Sequence, residues 1–591
     1  MATPPNFATS IYAALQHSAA TKPQRTALTY LQTGDADEQA RCISYTDLLA
    51  GVTQAANLFA QLGGVGVGVA YLLPSLVETH FVLWGAETSG YAVPLNPFLT
   101  TEQIEELVRA SGAKILVTVG AAAPEVWHKS LAVQQRIEGL QLVCVGPQGP
   151  SGAAIDFVQA LAEQPADALH FTPAQGEQIC AYFHTGGTTG VPKLVGHSHR
   201  NQLTAARGAM HMLAISEDDC VTNGMPLFHV GGSIATSLAF FLAGANVVML
   251  SGLGFRNPAM VRNIWRIVER YQVSVLGAVP TAMASLLATP VDGDLSSLRY
   301  GLTGAALCPA NVSRRFTEVT GKALHELLGM TETGGVTAAD PVGGQATPGS
   351  VGYAIPESQI RVRRRLADGS LGDDCAAGEI GVLFVQGHNV SPGYLDASQN
   401  AGVFQEHGLN TGDLAYLDSA GKLFIAGRSK DLIIRSAHNI DPLMIEAAFT
   451  NHPSVAAAAA VGQPDRYAGE LPVVFIVLND PHTDLDALQA HAQAHIAERP
   501  AWPKSIHVLD ALPVTAVGKP FKPALRAEAA VRLLEPMLRN LLEDDTLTVT
   551  ASEGGKRGLD VHVRANGLSP AQHTKLREEL DGYAFAWTLS H

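Results

Sequence analysis

Through the first two thirds of the chain, short apolar runs alternate with longer stretches of helical periodicity. Examples are AKILVTVG from Ala113, LQLVCVG from Leu140, ANVVML from Ala245 and VSVLGAVP from Val273, the last leading into TAMASLLA. Runs of five or six residues without a polar alternate must be covered on both faces, and helices between them supply the cover. The pattern is that of βαβ units, which build largely parallel sheets. From Ser350 to Leu423 the texture changes to QIRVRRRL, GEIGVLFVQG and LAYLDSAGKLFIAG, alternating runs with Gly and Asp turns that predict antiparallel hairpins. After Gly427 a charged segment, RSKDLIIR, precedes two helix-plus-strand units, and this part reads as a small α+β domain ending near Arg526. The expected class is therefore α/β, with a large N-terminal domain over 1–427 made of βα-layered subdomains plus a β subdomain. A small C-terminal α+β domain over 428–530 follows, then an extension over 531–591 whose pattern fits a β-β-α-β appendage.

Composition removes several classes of function. With 591 residues, 47% of them apolar, the chain can fill a large core and is not disordered. The 39 Lys and Arg stand against 54 Asp and Glu, a formal net charge of −15, so the global positive field of a nucleic-acid binder is missing. The six cysteines are scattered without a CxxC pair, which predicts neither a zinc site nor a disulfide framework and suits a reducing compartment. The first residues carry no basic start leading into an apolar block, so a cytoplasmic protein is expected. Cys220 to Phe255 contains no Asp, Glu, Lys or Arg, yet glycines including Gly231, Gly232, Gly244, Gly252 and Gly254 interrupt it, and SIATSLAFFLAG followed by ANVVML reads as a buried helix and strand rather than a membrane span.

The sharpest local motif is Tyr182-Phe-His-Thr-Gly-Gly-Thr-Thr-Gly-Val-Pro-Lys193. A strand-like run feeds a loop of three glycines and three threonines. Glycines allow close backbone approach to a phosphate chain, N–H groups and Thr hydroxyls donate to its oxygens, and Lys193 adds charge. The spacing departs from GxxxxGK[ST], because Val191 and Pro192 follow Gly190 and Leu194 follows Lys193, which disfavours an ordinary kinase or ATPase loop.

The run Thr185 to Lys193 resembles the phosphate loop of the adenylate-forming superfamily of acyl-CoA synthetases, peptide-synthetase adenylation domains and luciferases. Further segments match in the family's order: Pro94-Leu-Asn-Pro97, Pro226-Leu-Phe-His-Val-Gly-Gly232, Thr303-Gly-Ala-Ala-Leu307, Gly329-Met-Thr-Glu-Thr-Gly-Gly335, Thr411-Gly-Asp413, Gly427-Arg-Ser-Lys-Asp431 and Pro513-Val-Thr-Ala-Val-Gly-Lys519. The acyl-CoA synthetase branch is the nearest in pattern. The resemblance implies that a carboxylate attacks the α-phosphate of ATP to give acyl-AMP and pyrophosphate, after which the thiol of CoA displaces AMP.

It also implies roles for individual residues. Lys519 becomes the catalytic lysine of adenylation, and Glu332 with Thr188 the catalytic and Mg²⁺-holding pair. Thr185, Gly186, Gly187, Thr189, Gly190 and Lys193 surround the phosphates. Gly304, Ala305, Ala306, Leu328, Thr331, Asp413 and Arg428 complete the nucleotide site, with Asp413 accepting from the ribose hydroxyls. His229 belongs to the acyl pocket, Lys430 to the hinge of a mobile small domain, and Ala437 with His438 to the CoA channel. Each has a plainer reading: Glu332 as a turn or capping glutamate, Asp413 as an Asx-turn residue, His229 as a buried histidine satisfied by the backbone, Lys430 as a solvated loop lysine.

Three positions depart from the family pattern. Gly186 replaces a common Ser, Leu328 stands where many relatives carry Tyr, and Ser436-Ala437-His438-Asn439 stands where the usual pattern has Gly-Gly or Ser-Gly, so a methyl at Ala437 bears on the thioester step. The substrate expected is a fatty or other apolar acid, with ATP, Mg²⁺ and CoA and no nucleic-acid partner. Transfer to a carrier protein in trans, or a non-catalytic nucleotide-binding relative, are the alternatives.

Overall fold

The computed structural model describes residues 8–149, 154–185, 192–344, 346–366, 370–405, 407–428, 431–436, 438–516, 518–554 and 558–590, with the side chains of 438 and 439 excepted. Two large sheets carry the N-terminal part. In the first, six strands run parallel in the order Leu324–Leu328, Tyr300–Gly304, Val275–Gly277, Cys220–Asn223, Asn246–Leu250 and Thr26–Leu31, with antiparallel edges beyond both ends. In the second, Ile179–His184, Gly90–Pro94, Val67–Leu72, Ile115–Val119, Gln141–Val145 and Ile155–Asp156 are parallel neighbours. The uninterrupted apolar runs are the central strands: Val67–Leu72 and Ile115–Val119 are buried at every residue, as double-sided cover requires. One core joins the two sheets through helices such as Val77–Ser89 and His199–Met212, and Trp84, Trp127 and Trp265 are fully buried.

The segment from Ser358 to Arg428 forms an antiparallel sheet, as its hairpin texture predicts, with Gly381–Gly387 and Gly408–Leu417 at its centre. Its two-residue strand Gly393–Tyr394 leaves that sheet and pairs antiparallel with Leu194–Ser198 of the second large sheet. The uncharged stretch is a buried helix and strand, also as expected. The helix has an unexpected geometry, π-helical over Gly231–Leu238 before becoming α-helical over Ala239–Ala243. Among the described residues, no helix is long and apolar enough to cross a membrane.

The small domain is built on the long antiparallel pair Val455–Asp465 and Gly469–Leu478, with helices Pro442–Thr450 and Leu485–His495 on one face. Helix Lys522–Leu542 is continuous across residue 530. Its first half packs on this pair through Leu525 and Ala529, and its second half joins the core of the extension through Leu534, Leu538 and Leu542. The extension has the strand, strand, helix, strand order Thr548–Glu553, Leu559–Arg564, Pro570–Leu580 and Ala586–Ser590. Arg526 ties it back to the chain after the interdomain segment, donating to Asp431 at 2.7 Å and to Glu553.

Candidate active site

In an open parallel sheet, ligands bind beyond the carboxyl ends of the strands. Here the carboxyl ends of five strands converge. Ile179–His184 leads to the phosphate loop, Cys220–Asn223 to Met225 and His229, Val275–Gly277 to Val279, Tyr300–Gly304 to Ala305, and Leu324–Leu328 to Glu332. The last four enclose a cavity whose wall includes Met225, His229, Gly231, Ala235, Thr236, Val279, Leu302, Ala305 and Leu327. Among the described residues, none of those lining it is Asp, Glu, Lys or Arg. The cavity is an apolar slot with a few polar atoms, the usual composition of a small-molecule site.

The π-helical turn makes one wall of the slot. Thr236 Oγ1 donates to the Gly231 carbonyl at 2.8 Å, Ser237 Oγ to the Gly232 carbonyl at 2.7 Å, and Asn223 Nδ2 to the same carbonyl at 2.9 Å. These side chains hold carbonyls that a tighter helix would bond internally, a device found mostly at functional sites. His229 lies at the entrance to that turn. Its Nδ1 accepts the Gly231 N–H at 3.0 Å, and the residue lines the slot. Burial, the Lys519 ammonium and His184 push its imidazole down to about 3, which keeps the ring neutral.

The charged residues gather at the other end. Asp413 and Arg428 are register partners on neighbouring strands, joined at 2.9 Å, and Asp413 is 5% exposed. The Asp413 carboxylate holds the Arg428 guanidinium above its ordinary value. Glu332 sits in the short turn Thr331–Thr333, closed by Gly334 at φ 64°. Its Oε1 accepts the Tyr394 hydroxyl at 2.8 Å, and its carbonyl accepts the Ser391 N–H at 2.9 Å. The carbonyl of Thr331 accepts from His197 Nε2 at 2.7 Å. Lys193 lies with its ammonium 4.6 Å from the centre of the Tyr394 ring, a cation–π contact. Tyr394 therefore connects two predicted site residues while being absent from the sequence reading.

Lys519 reaches this end from the small domain. Thr515 and Lys519 close a tight turn, with the Thr515 N–H donating to the Lys519 carbonyl at 2.7 Å. The carbonyl of Gly518 accepts Thr281 Oγ1 at 3.0 Å from the cavity side. Gly518 has φ +81°, and a Cβ there would stand 3.1 Å from both Thr281 Oγ1 and Val279 Cγ2, so only glycine fits this approach. The ammonium is buried near Arg428, Asp413 and Glu332. Burial first and the Arg428 charge second lower it to about 8, against the two carboxylates, which hold it up.

The remaining predicted residues are distributed as follows. Thr185 opens the phosphate loop, its N–H donating to the Lys193 carbonyl at 2.8 Å. Gly186, Gly187, Thr188, Thr189, Gly190, Lys430 and Ala437 lie outside the described residues, as does the side chain of His438. Gly304 and Ala305 line the slot, Ala305 with a left-handed φ of 69° that is uncommon for a residue with a side chain, and Ala306 follows them. Leu327 lines the slot. Leu328 faces the core of the antiparallel sheet beside Met330. The sequence reading also missed Thr303, whose buried hydroxyl lines the slot and has no hydrogen-bond partner among the described residues.

Fold and site together define an adenylate-forming enzyme, and comparison with known proteins agrees. The AMP-binding enzyme family model matches residues 15–395, and the AMP-binding enzyme C-terminal domain model matches 444–519, so the chain belongs to the AMP-binding enzyme family. The chain is 37% identical over 582 residues, 95% of its length, to 88% of the marinolic acid–CoA ligase of Pseudoalteromonas sp. (strain SANK 73390). It is 28% identical, over 85% of its length and 92% of the relative, to the long-chain-fatty-acid–CoA ligase of Bacillus subtilis (strain 168). The ATP-bound structure of MatB from Rhodopseudomonas palustris superposes with a TM-score of 0.77 at 25% identity, covering 88% of this chain and 98% of that one. The fold also matches an anthranilate CoA ligase in complex with anthranoyl-AMP, with a TM-score of 0.79 at 24% identity over 90% of this chain and 99% of that one. The protein is an AMP-forming acid–CoA ligase that works through an acyl-adenylate.

Proposed function

We propose that the acid is a fatty or other apolar carboxylic acid, bound in the slot behind His229 and activated by Lys519. The observation that carries this reading is the junction itself. An uncharged slot opens beside a buried ammonium, and the carboxylates and guanidinium of a nucleotide site lie just beyond it. Two relatives named for marinolic and long-chain fatty acids point the same way.

In this reading Asp413 receives the ribose hydroxyls, with Arg428 fixing its carboxylate. Thr185 to Gly190 and Lys193 hold the phosphates. Lys519 bridges the incoming carboxylate and the α-phosphate, stabilising charge that grows as the new bond forms. Among the described residues no group of three or more His, Cys, Asp or Glu could hold a metal ion, so a dedicated protein cage is not the model for magnesium here. Glu332 fits instead as a single carboxylate, with Tyr394 occupying one of its oxygens, which suits a cation that keeps waters and substrate phosphates as its other ligands. Glu332 and Thr188 would hold Mg²⁺, whose chemistry is to neutralise the phosphate oxygens. Lys430 would serve as the hinge at the 427/428 boundary, and Ala437 and His438 would flank the CoA channel after the small domain turns.

The test is pyrophosphate and AMP release from ATP and Mg²⁺ with acetate, hexanoate, decanoate, palmitate and cinnamate, each with and without CoA, with thioesters read by mass. Acyl-CoA from the apolar acids is the expected result. Turnover confined to acetate would overturn the apolar assignment.

A further inference from the structure

His184 ends the strand Ile179–His184, one residue before the phosphate loop. The backbone N–H of Asn96, in the Pro94 to Pro97 motif, donates to its Nε2 at 3.1 Å. An imidazole nitrogen that accepts carries no proton, so the ring's single proton sits on Nδ1. Burial lowers the ring to about 4, and the adjacent Thr185 main chain only partly offsets it, so the tautomer stays neutral at physiological pH. The Nδ1 atom is itself buried and, although the Thr185 main chain lies near enough to favour the charged ring, makes no hydrogen bond of normal geometry among the described residues. The ring stacks on Phe228 at 6.2 Å and lies near enough to His229, on the slot wall, for protonation of either ring to disfavour that of the other. A buried N–H donor without an acceptor costs folding energy and calls for an explanation. This one stands between the start of the phosphate loop and the acyl slot.

We propose that His184 Nδ1–H donates a hydrogen bond to an anionic oxygen at the acyl–phosphate junction, making His184 a catalytic residue of adenylate formation in the ligase reading above. The ring keeps its proton throughout. A carboxylate oxygen forms the bond to the α-phosphorus, the bond to pyrophosphate breaks with its electron pair, and the donor stabilises the oxygen charge during the exchange. His229 is fixed in the opposite sense, with Gly231 N–H on its Nδ1, so the two histidines offer donors from opposite ring nitrogens.

Two substitutions separate this role from a structural tie to Asn96. His184→Gln places an amide near Nε2 and can keep the Asn96 contact while losing the donor at Nδ1. His184→Asn places an amide near Nδ1 and keeps a donor there. With the acid of the panel that gives the highest kcat/KM, the Gln variant should lose about a hundredfold in pyrophosphate release. The Asn variant should stay within about tenfold of the parent. Wild-type rates for Gln, or an Asn variant as impaired as Gln, would overturn the proposal. A raised KM for the acid against an unchanged KM for ATP identifies the carboxylate as the partner, and the reverse identifies the phosphate. A ¹⁵N-histidine spectrum of the wild-type protein, assigned by difference and needing no active variant, should show the Nδ1–H tautomer, with its proton moving when decanoyl-sulfamoyl-adenosine is added. The Nε2–H tautomer would overturn the proposal. Absence of acid-dependent pyrophosphate release from the wild type would refute the ligase reading instead, leaving the tautomer result to stand alone.

Discussion

The two ends of the site are made of different material. The nucleotide end is charged and cross-braced: Asp413 to Arg428, Tyr394 to Glu332 and Lys193 to the Tyr394 ring, with Lys519 inserted from another domain. The acyl end has no charged residue among the described residues that line it, and its shape is set by small residues such as Gly231, Ala235 and Ala305 and by a π-helical turn. Charge stabilisation of a phosphoryl transition state is the same for every acid, so the first end is built for one chemistry. A slot walled by glycine and alanine can change shape by a methyl group at a time, so in the proposed reading the second end selects the acid.

If the charged end carries the chemistry, losing Lys519 should have the largest effect. Lys519→Ala is expected to lower acid-dependent pyrophosphate release by about a thousandfold while sparing thioester formation from synthetic acyl-AMP and CoA. Equal loss in both steps would show that the lysine supports the fold rather than adenylation. Next comes Asp413→Asn, which leaves Arg428 beside a neutral amide. We expect KM for ATP to rise by about thirtyfold, with the order of acids unchanged. A changed order would break the separation between the two ends.

The same lysine gives the comparison a pH signature. Its ammonium is lowered to about 8, so it is charged below that value and loses its proton as pH rises through it. The kcat/KM for ATP should therefore fall about tenfold per pH unit above 8. In Lys519→Arg the limb should vanish from this range, because guanidinium stays charged. His184 and His229, lowered to about 4 and about 3, are neutral across pH 5 to 8 and add no limb there.

The sequence exposed these two ends unequally. Parallel strands were legible because their apolar runs are uninterrupted, and the charged residues were legible because each sits in a short motif. Tyr394 was not. Its partners Glu332 and Lys193 are far away in the chain, and only the strand Gly393–Tyr394 crossing to a different sheet brings them together. The slot was illegible for another reason: Gly, Ala, Thr and Val are also what a core is made of, so composition cannot separate a wall from a filling. The π-helical turn has an ordinary helical pattern in sequence. What widens it is the capture of two carbonyls by Thr236, Ser237 and Asn223, and Asn223 belongs to a neighbouring strand. His184 was visible beside the phosphate loop, yet its tautomer depends on Asn96, 88 positions away.

The smallest expected effect tests the acyl end alone. A Cβ on Gly231 would stand 2.7 Å from Cε of Met225 and 3.1 Å from Nδ1 of His229. The methionine end is flexible and can swing aside, but the space it takes up is space in the slot. The Gly231 N–H that His229 accepts is retained in alanine, so the histidine keeps its tautomer. Gly231→Ala should therefore leave KM for ATP and the Lys519 pH limb unchanged, while lowering kcat/KM for the bulkiest acid accepted by about tenfold relative to the smallest. Measuring two acids against one ATP titration is sufficient. A uniform loss for both acids would mean that Gly231 supports the π-helical turn as a whole, and a raised KM for ATP would show that the two ends are mechanically one.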